Sequence, residues 1–315
     1  MASKNHTTSF NLPSDLSTLT LQRFDKAHAD GKLIYGPSTS EIFQHEGFTV
    51  NAHPIHPPVT HTNALLTSQF CFSIPPAISS KPVLPPNDPS RSKPGGPFLH
   101  PDPDMVLCAV GPSHTLELNK HCVLRPMSIL HTKEYEKQKD DLEVEDMRAT
   151  WAVMGQLGKE GQEVMAIYNC GAEAGASQGH KHLQIFPRPS SHEFELYPGL
   201  VRLEEGKAMS CEGVPYKHFV MPIPSGATAE DVYTIYEQLL DRIRPILREH
   251  GTEDYNMILV KEWMLVIPRR RHGREGVEAN AVGMMGWLWL KGKEERDGWA
   301  RFGYTEHLKW LGVPP

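Results

Sequence analysis

The chain has 315 residues, of which 39% are hydrophobic and 22% charged, with a formal net charge of -6. That length holds one large domain or two modest ones with a real core, and the acidic balance excludes a general nucleic-acid or membrane-surface binder. Five scattered cysteines without a C-x-x-C, a polar 1–12 with no apolar signal core, and no run of about 18 apolar residues point to a reducing compartment, the cytoplasm first and the nucleus second.

In chain order, 16–29 predicts a helix carrying Leu16, Leu19, Leu21, Phe24 and Ala27, N-capped by Ser14 and ended by Gly31-Lys32. Short strands are expected at 33–35, 48–50 and 70–74, with a His- and Pro-rich loop at 53–62. The Pro-, Ser- and Gly-rich 79–103 reads as a long mobile surface excursion. Strands follow at 105–110, 115–118, 122–124 and 127–131. A helix spans 143–158, with Val144, Met147, Trp151, Met154 and Leu157 as its apolar stripe and acidic residues in its first turn. Strands at 163–168, 180–186 and 217–223 come next, with a polar loop at 187–198. The strongest helix is 228–249, started by the capping box of Thr228 and Asp231 and kinked or ended early by Pro245. A strand pair at 255–260 and 264–268, a basic run at 269–272 read as solvated loop, a strand at 284–291 and a helix at 299–311 complete the chain. Strands outnumber helices without alternating with them, which predicts an α+β fold with a mainly antiparallel sheet.

The chemistry concentrates in 169–187, NCGAEAGASQGHKHLQIFP. Three glycines and Ser177-Gln178 precede a strand on which His180, His182 and Gln184 share one face and Lys181, Leu183 and Ile185 the other. A strand, rather than a helix, after the glycine loop excludes a P-loop. A neutral imidazole attacks phosphorus well at pH 7, while loop N–H groups, amides and hydroxyls neutralise phosphate oxygens. These residues suit nucleotidyl transfer through a histidine. His-x-His also presents metal ligands on zinc enzymes, and a third ligand would then come from His218 or His192.

Gly-Ala-Ser-Gln-x-His-Lys-His-Leu-Gln resembles the signature of the diadenosine tetraphosphate phosphorylases (ATP adenylyltransferases), in the branch of the histidine-triad superfamily where Gln replaces the third histidine. Pro97-Phe98-Leu99, Leu118-Asn119-Lys120, 132–138, 217–220 and 255–269 resemble further blocks in the same order, and 70–82 a looser one. The resemblance spans roughly 68–290. Arg125-Pro126-Met127 departs from the family's Pro-x-His, and Cys170 stands where serine is common.

The resemblance implies a histidine-triad-like fold, an antiparallel sheet flanked by helices and elaborated with long loops. It divides the chain into 1–192, carrying the catalytic motif, and 193–315, packed against it. It implies phosphorolysis of diadenosine tetraphosphate by inorganic phosphate to ATP and ADP through an adenylyl-histidine. His182 matches the nucleophile, His180 the orienting partner and Gln184 the phosphate contact. Asn169, Gly175, Ser177 and Gln178 match the polyphosphate loop, and Asn119 and Lys81 match outlying contacts. The expected partners are a nucleotide and phosphate, not nucleic acid or membrane. The leaving group's charge calls for a divalent cation, Mg²⁺, carried with the substrate, with no protein metal site. Alternatives are transfer on nucleotide sugars, a nucleotide sensor without turnover, and a zinc-dependent phosphohydrolase.

Overall fold

A computed structural model describes residues 10–38, 40–50, 66–191 and 193–315. The expected 53–62 loop, His192 and most of the loose N-terminus lie outside these residues. Helix α1 (Leu16–Ala29) is capped at Asp15 rather than Ser14 and uses no side chain, because Leu16 N–H donates to the Pro13 carbonyl instead. Strands β1 (Ser40–Val50) and β2 (Leu66–Ser73) pair antiparallel. The expected 33–35 strand is only one bridge, Ile34 to His121. Helix α2 (Pro76–Ser79) and two 3₁₀ turns, Pro89–Ser92 and Pro97–Leu99, lead into β3 (Val106–Val110), β4 (His114–Leu118) and β5 (Ser128–Thr132). No strand forms at 122–124: the segment turns back, with the Cys122 thiol on the Asn119 carbonyl.

Helix α3 (Val144–Leu157) precedes β6 (Val164–Cys170) and β7 (His182–Pro187); β8 (Phe219–Pro222), α4 (Ala229–Glu249), β9 (Tyr255–Leu259) and β10 (Trp263–Pro268) follow. Helix α4 has the predicted capping box, with Thr228 Oγ1 accepting from Asp231 N–H and Asp231 accepting from Thr228 N–H. It continues a turn past Pro245. That proline lies on the exposed side, where the carbonyl it leaves unpaired can be hydrated. The expected 284–291 strand is shorter: α5 (Ala281–Met284) takes its start, Gly286 turns at φ 87°, and only Trp287–Trp289 is extended. The terminal helix is two, α6 (Lys293–Phe302) and α7 (Tyr304–Leu311), broken where Gly303 takes φ 73°.

Eight strands form one sheet in the order β3-β4-β5-β7-β6-β9-β10-β8, every neighbour antiparallel. The β6–β9 seam joins strands from the 1–192 and 193–315 regions, so a single sheet runs through both. Helices α3 and α4 cover one face with Met147, Val153, Met154, Leu157, Val232, Ile235, Tyr236, Leu239 and Ile243 buried. Burying this apolar layer favours folding by about 25 cal/mol per Å² of apolar surface. The opposite face is covered by the 80–100 segment, over the histidines, and by α5, against β6 and β9. A smaller sheet joins β1, β2 and Trp287–Trp289, the last parallel to β2. Among the described residues no helix is long and apolar enough to cross a membrane.

Candidate active site

The pairing register decides which side chains meet. His131 lies opposite His182, Ile129 opposite both Gln184 and Glu117, and Asn169 opposite Asn256. With side chains alternating along each strand, Glu117, His131, His182, Gln184, Asn169 and Asn256 all face away from α3 and α4. A polar row across a buried sheet face must be satisfied internally or reserved for a ligand.

His182 shows the second case. Its Nδ1 lies 2.8 Å from the His180 carbonyl. A carbonyl only accepts, so the proton is on Nδ1 and the Nε2 lone pair is free. Burial pushes the His182 imidazolium down to about 3, with the nearby Lys81 ammonium acting in the same direction against the His180 bond. At neutral pH the ring is therefore an unprotonated nucleophile. Its backbone is clamped by the Gln138 amide: His182 N–H donates to Gln138 Oε1 at 2.7 Å, and Gln138 Nε2 donates to the carbonyls of His182 and Asn169.

His180 precedes β7 rather than belonging to it. Its Nε2 donates to the Thr132 carbonyl at 2.8 Å, so its side chain anchors the loop while its carbonyl orients His182. Lys181, on the other face as the alternation predicted, is buried between Glu136 at 2.5 Å and Asp146 at 3.3 Å, and Asp146 also accepts from His114 at 2.7 Å.

The 79–103 segment is not a mobile excursion. Arg91 ties it down by donating to the carbonyls of Pro85, Leu84 and Ala176, and Tyr135 donates to the Arg91 carbonyl. A methyl on Gly179 would stand 2.5 Å from the Arg91 backbone, so glycine permits this contact. Phe98, 4% exposed, stacks on His131 at 4.9 Å and leans over His182 at 5.0 Å. The segment is a roof over the histidines. It excludes water there, which accounts for their lowered proton affinity.

Between roof and sheet lies a cavity of about 490 Å³ lined by His182, Gln184, Asn119, Ser177, Gln178 and Lys81, with Glu117, Lys120 and the apolar Phe98, Met105 and Ile129 among its walls. Seven of the nine residues singled out by sequence thus face this cavity or, as His180 does, support it: His182, Gln184, Ser177, Gln178, Lys81, Asn119 and His180. Asn119 Oδ1 is occupied by His121 N–H. Asn169 and Gly175 lie elsewhere. Asn169 Oδ1 accepts from Asn256 Nδ2 and Ala281 N–H at the base of the glycine loop. Gly175, at φ 88°, has no room for a side chain, since a Cβ would stand 2.9 Å from the Asn280 Cα, and it lines a neighbouring cavity. The side chain of Gln184 makes no hydrogen bond among the described residues, nor does the Lys81 ammonium have a carboxylate partner; burial lowers its proton affinity. A desolvated cation without a counter-ion is a place for an anion.

Sequence reasoning missed Glu117, His131, Gln138 and the roof. Glu117, buried and near Asp102, has its carboxyl pushed up to about 7. His131 is held down to about 4 by burial. Alternation within 127–131 could have placed His131 on the motif's face once the register was known. Arg269, expected in solvent, is fully buried and donates to Asn256 Oδ1 and the carbonyls of Arg271 and Ala279, bracing the glycine loop. Met127, at the departure from the family pattern, is core; its carbonyl accepts from Asn119 N–H and lines no cavity described here. His218 pairs with Cys211 N–H and the Tyr216 carbonyl, away from the site. All five cysteines are free, and among the described residues no three His, Cys, Asp or Glu side chains group to hold a metal ion.

A free imidazole nitrogen sharing a cavity with an ammonium that has no carboxylate partner among the described residues, on an antiparallel sheet edged by a glycine loop, fits a nucleotidyltransferase of the histidine-triad kind. Residues 84–201 match the family model of the Ap4A phosphorylase N-terminal domain and 212–314 that of the ATP adenylyltransferase C-terminal domain, together over two thirds of the chain. The chain belongs to the diadenosine tetraphosphate phosphorylase (ATP adenylyltransferase) family. It is 28% identical over 289 residues to diadenosine 5',5'''-P1,P4-tetraphosphate phosphorylase 2 of Saccharomyces cerevisiae, covering 80% of this chain and 87% of that protein. It is 29% identical over 205 residues to Protein APA1 of the same yeast, covering 58% and 63% respectively. The fold matches the crystal structure of yeast Ap4A phosphorylase Apa2 in complex with Ap4A, with a TM-score of 0.76 at 22% identity over 96% of this chain and 99% of that one.

Proposed function

We propose that the protein splits diadenosine tetraphosphate with inorganic phosphate into ATP and ADP through an adenylylated His182. The observation that carries this is the His182 tautomer: Nδ1–H is spent on the His180 carbonyl, and Nε2 is left unprotonated beside an unpaired Lys81. Nε2 attacks the α-phosphorus, an N–P bond forms, and the bridging P–O bond breaks with ATP as leaving group. Phosphate then attacks the same phosphorus, the N–P bond breaks, and ADP leaves. Gln184, Ser177, Gln178 and Lys81 meet the phosphate oxygens, and the apolar walls formed by Phe98, Met105 and Ile129 receive the nucleoside. Mg²⁺ travels on the polyphosphate, since the cavity supplies amides and a lysine rather than a cage of carboxylates.

Incubating the protein with labelled diadenosine tetraphosphate without phosphate should release ATP and leave an acid-labile label on the protein. Adding phosphate should discharge it as ADP. Accumulation of the same label on His182→Asn would defeat the assignment.

A further inference from the structure

Glu117 interrupts the apolar wall that Phe98, Met105 and Ile129 form in the 490 Å³ cavity. It is 6% exposed, and its carboxyl makes no hydrogen bond among the described residues. The neighbouring imidazole cannot supply one. His131 Nε2 lies 4.0 Å from Glu117 Oε1. His131 Nδ1 donates to the Thr132 carbonyl at 3.0 Å, so Nε2 carries a lone pair. Nε2 is itself buried without a partner. A proton on Glu117 could serve Nε2 and would still leave the other carboxyl oxygen an acceptor. A buried acceptor is costly until a donor arrives. Phe98 covers His131, so the cavity opens on Glu117 and a ligand must bring the donor there.

We infer that Glu117 reads the base of the transferred nucleotide by accepting a hydrogen bond from its exocyclic amine; this rests on the function proposed above. Ionised phosphates only accept, so the donors of a nucleotide are its ribose hydroxyls and the N–H groups of its base. Position chooses between them. Thr115, His131 and His182 form one row across the sheet, and Glu117, Ile129 and Gln184 the next row on the same face. Glu117 thus stands two strands from β7, roughly 10 Å across the sheet and roughly 7 Å along it from His182. The ribose adjoins the α-phosphorus and stays near His182, whereas the far edge of the base extends toward β4. Phe98, Met105 and Ile129 offer apolar surface to its ring faces. The adenine amine donates to the carboxyl. A keto base places a carbonyl oxygen at the same point and sets lone pair against lone pair, so Glu117 selects amino over keto.

The second half-reaction, run in both directions, tests this with single nucleotides. His182 Nε2 attacks the α-phosphorus of a nucleoside diphosphate, the N–P bond forms, the bridging P–O bond breaks and phosphate leaves. Labelled phosphate then returns by the reverse step, and label enters the diphosphate. ADP and inosine diphosphate differ by an amine against a carbonyl. Wild-type kcat/KM for exchange should favour ADP roughly 100-fold, as a site built to pair an N–H rejects an analogue lacking it. Glu117→Gln keeps the shape, but its amide can turn to present oxygen or N–H, so the ratio should fall to within about threefold. Glu117→Leu should lower exchange with ADP roughly tenfold and leave that with inosine diphosphate within about twofold. Should the leucine variant fail to fold, Glu117→Gln alone decides. A wild type that takes both diphosphates equally, a Glu117→Gln that keeps the wild-type ratio, or equal loss with both substrates overturns the inference. Wild-type protein that exchanges neither diphosphate instead overturns the proposed function.

Discussion

The two faces of β7 carry adjacent buried polar residues with opposite electrostatics. Toward the roof, His182 and Gln184 are kept neutral and under-bonded. Toward α3, one residue away, Lys181 is charged and locked between Glu136 and Asp146. For Asp146, burial opposes ionisation but is outweighed by His114 and Lys181, so its carboxyl lies below the usual range. Lys181 lies above its own, with the two carboxylates outweighing burial. The strand spends its charges on the face that joins sheet to helix and withholds them from the face that meets substrate. A buried group can serve stability by being satisfied or chemistry by being left free, and alternation lets neighbours do each.

Breaking the front face should cost turnover and little else. His182→Asn keeps an amide donor for the His180 carbonyl but offers no nucleophilic nitrogen. Steady-state phosphorolysis should drop on the order of 10³-fold or more. The urea midpoint should move by less than about 1 kcal/mol equivalent. A variant with ordinary turnover would remove His182 from the chemistry.

Breaking the back face should do the reverse. Lys181→Met leaves Asp146 with only His114 and the Glu143 N–H and should destabilise the protein by about 3–5 kcal/mol, the usual cost of a buried charge that loses its charged partner. Activity per folded molecule should stay near wild type. Unchanged stability in equilibrium urea unfolding would show that the ion pair is not the anchor described here.

Gln138 joins the two faces, because it holds the backbone of the strand whose side chains they share. Gln138→Leu leaves His182 N–H and two buried carbonyls unpaired and should cost about 1–3 kcal/mol. It should also lower kcat more than it raises KM, because a misplaced nucleophile loses rate before affinity. A KM effect alone would make Gln138 a binding residue instead.

The front face was far more legible in the sequence than what surrounds it. His-x-His-x-Gln fixes its own facing through a period of two, and the ordered blocks made its chemistry specific. The roof was misread because Pro, Ser and Gly signal only the lack of regular structure; whether such a segment packs depends on Arg91, Tyr135 and Phe98 finding partners far along the chain. Arg269 was misread for the same reason: a basic run looks solvated until Asn256 and Ala279 are brought to it. Glu117 and His131 needed the strand register, which no local pattern carries. The helices α3 and α4 were found because an apolar stripe and a capping box are both local signals.

The smallest effect separates the faces by pH. Glu117, in the cavity, titrates at about 7 in the folded protein against 4.5 when free. The folded state thus binds the extra proton between those values. The stability from Glu117 is fully present below 4.5 and is lost as pH rises through 7. His182, at about 3, and His131, at about 4, act oppositely: the unfolded chain takes up their protons first, and stability falls as pH drops below 6.5. Lys181 and Asp146, displaced outward from neutrality, contribute evenly from pH 5 to 9. Glu117→Gln should therefore gain stability relative to wild type as pH rises from 4.5 to 7, while histidine terms common to both proteins cancel in the difference. Above pH 7 the ionised Glu117 repels the polyphosphate, so KM should rise in wild type and stay flat in the variant. Parallel stability and KM profiles for the two proteins would place Glu117 outside the electrostatics of the front face.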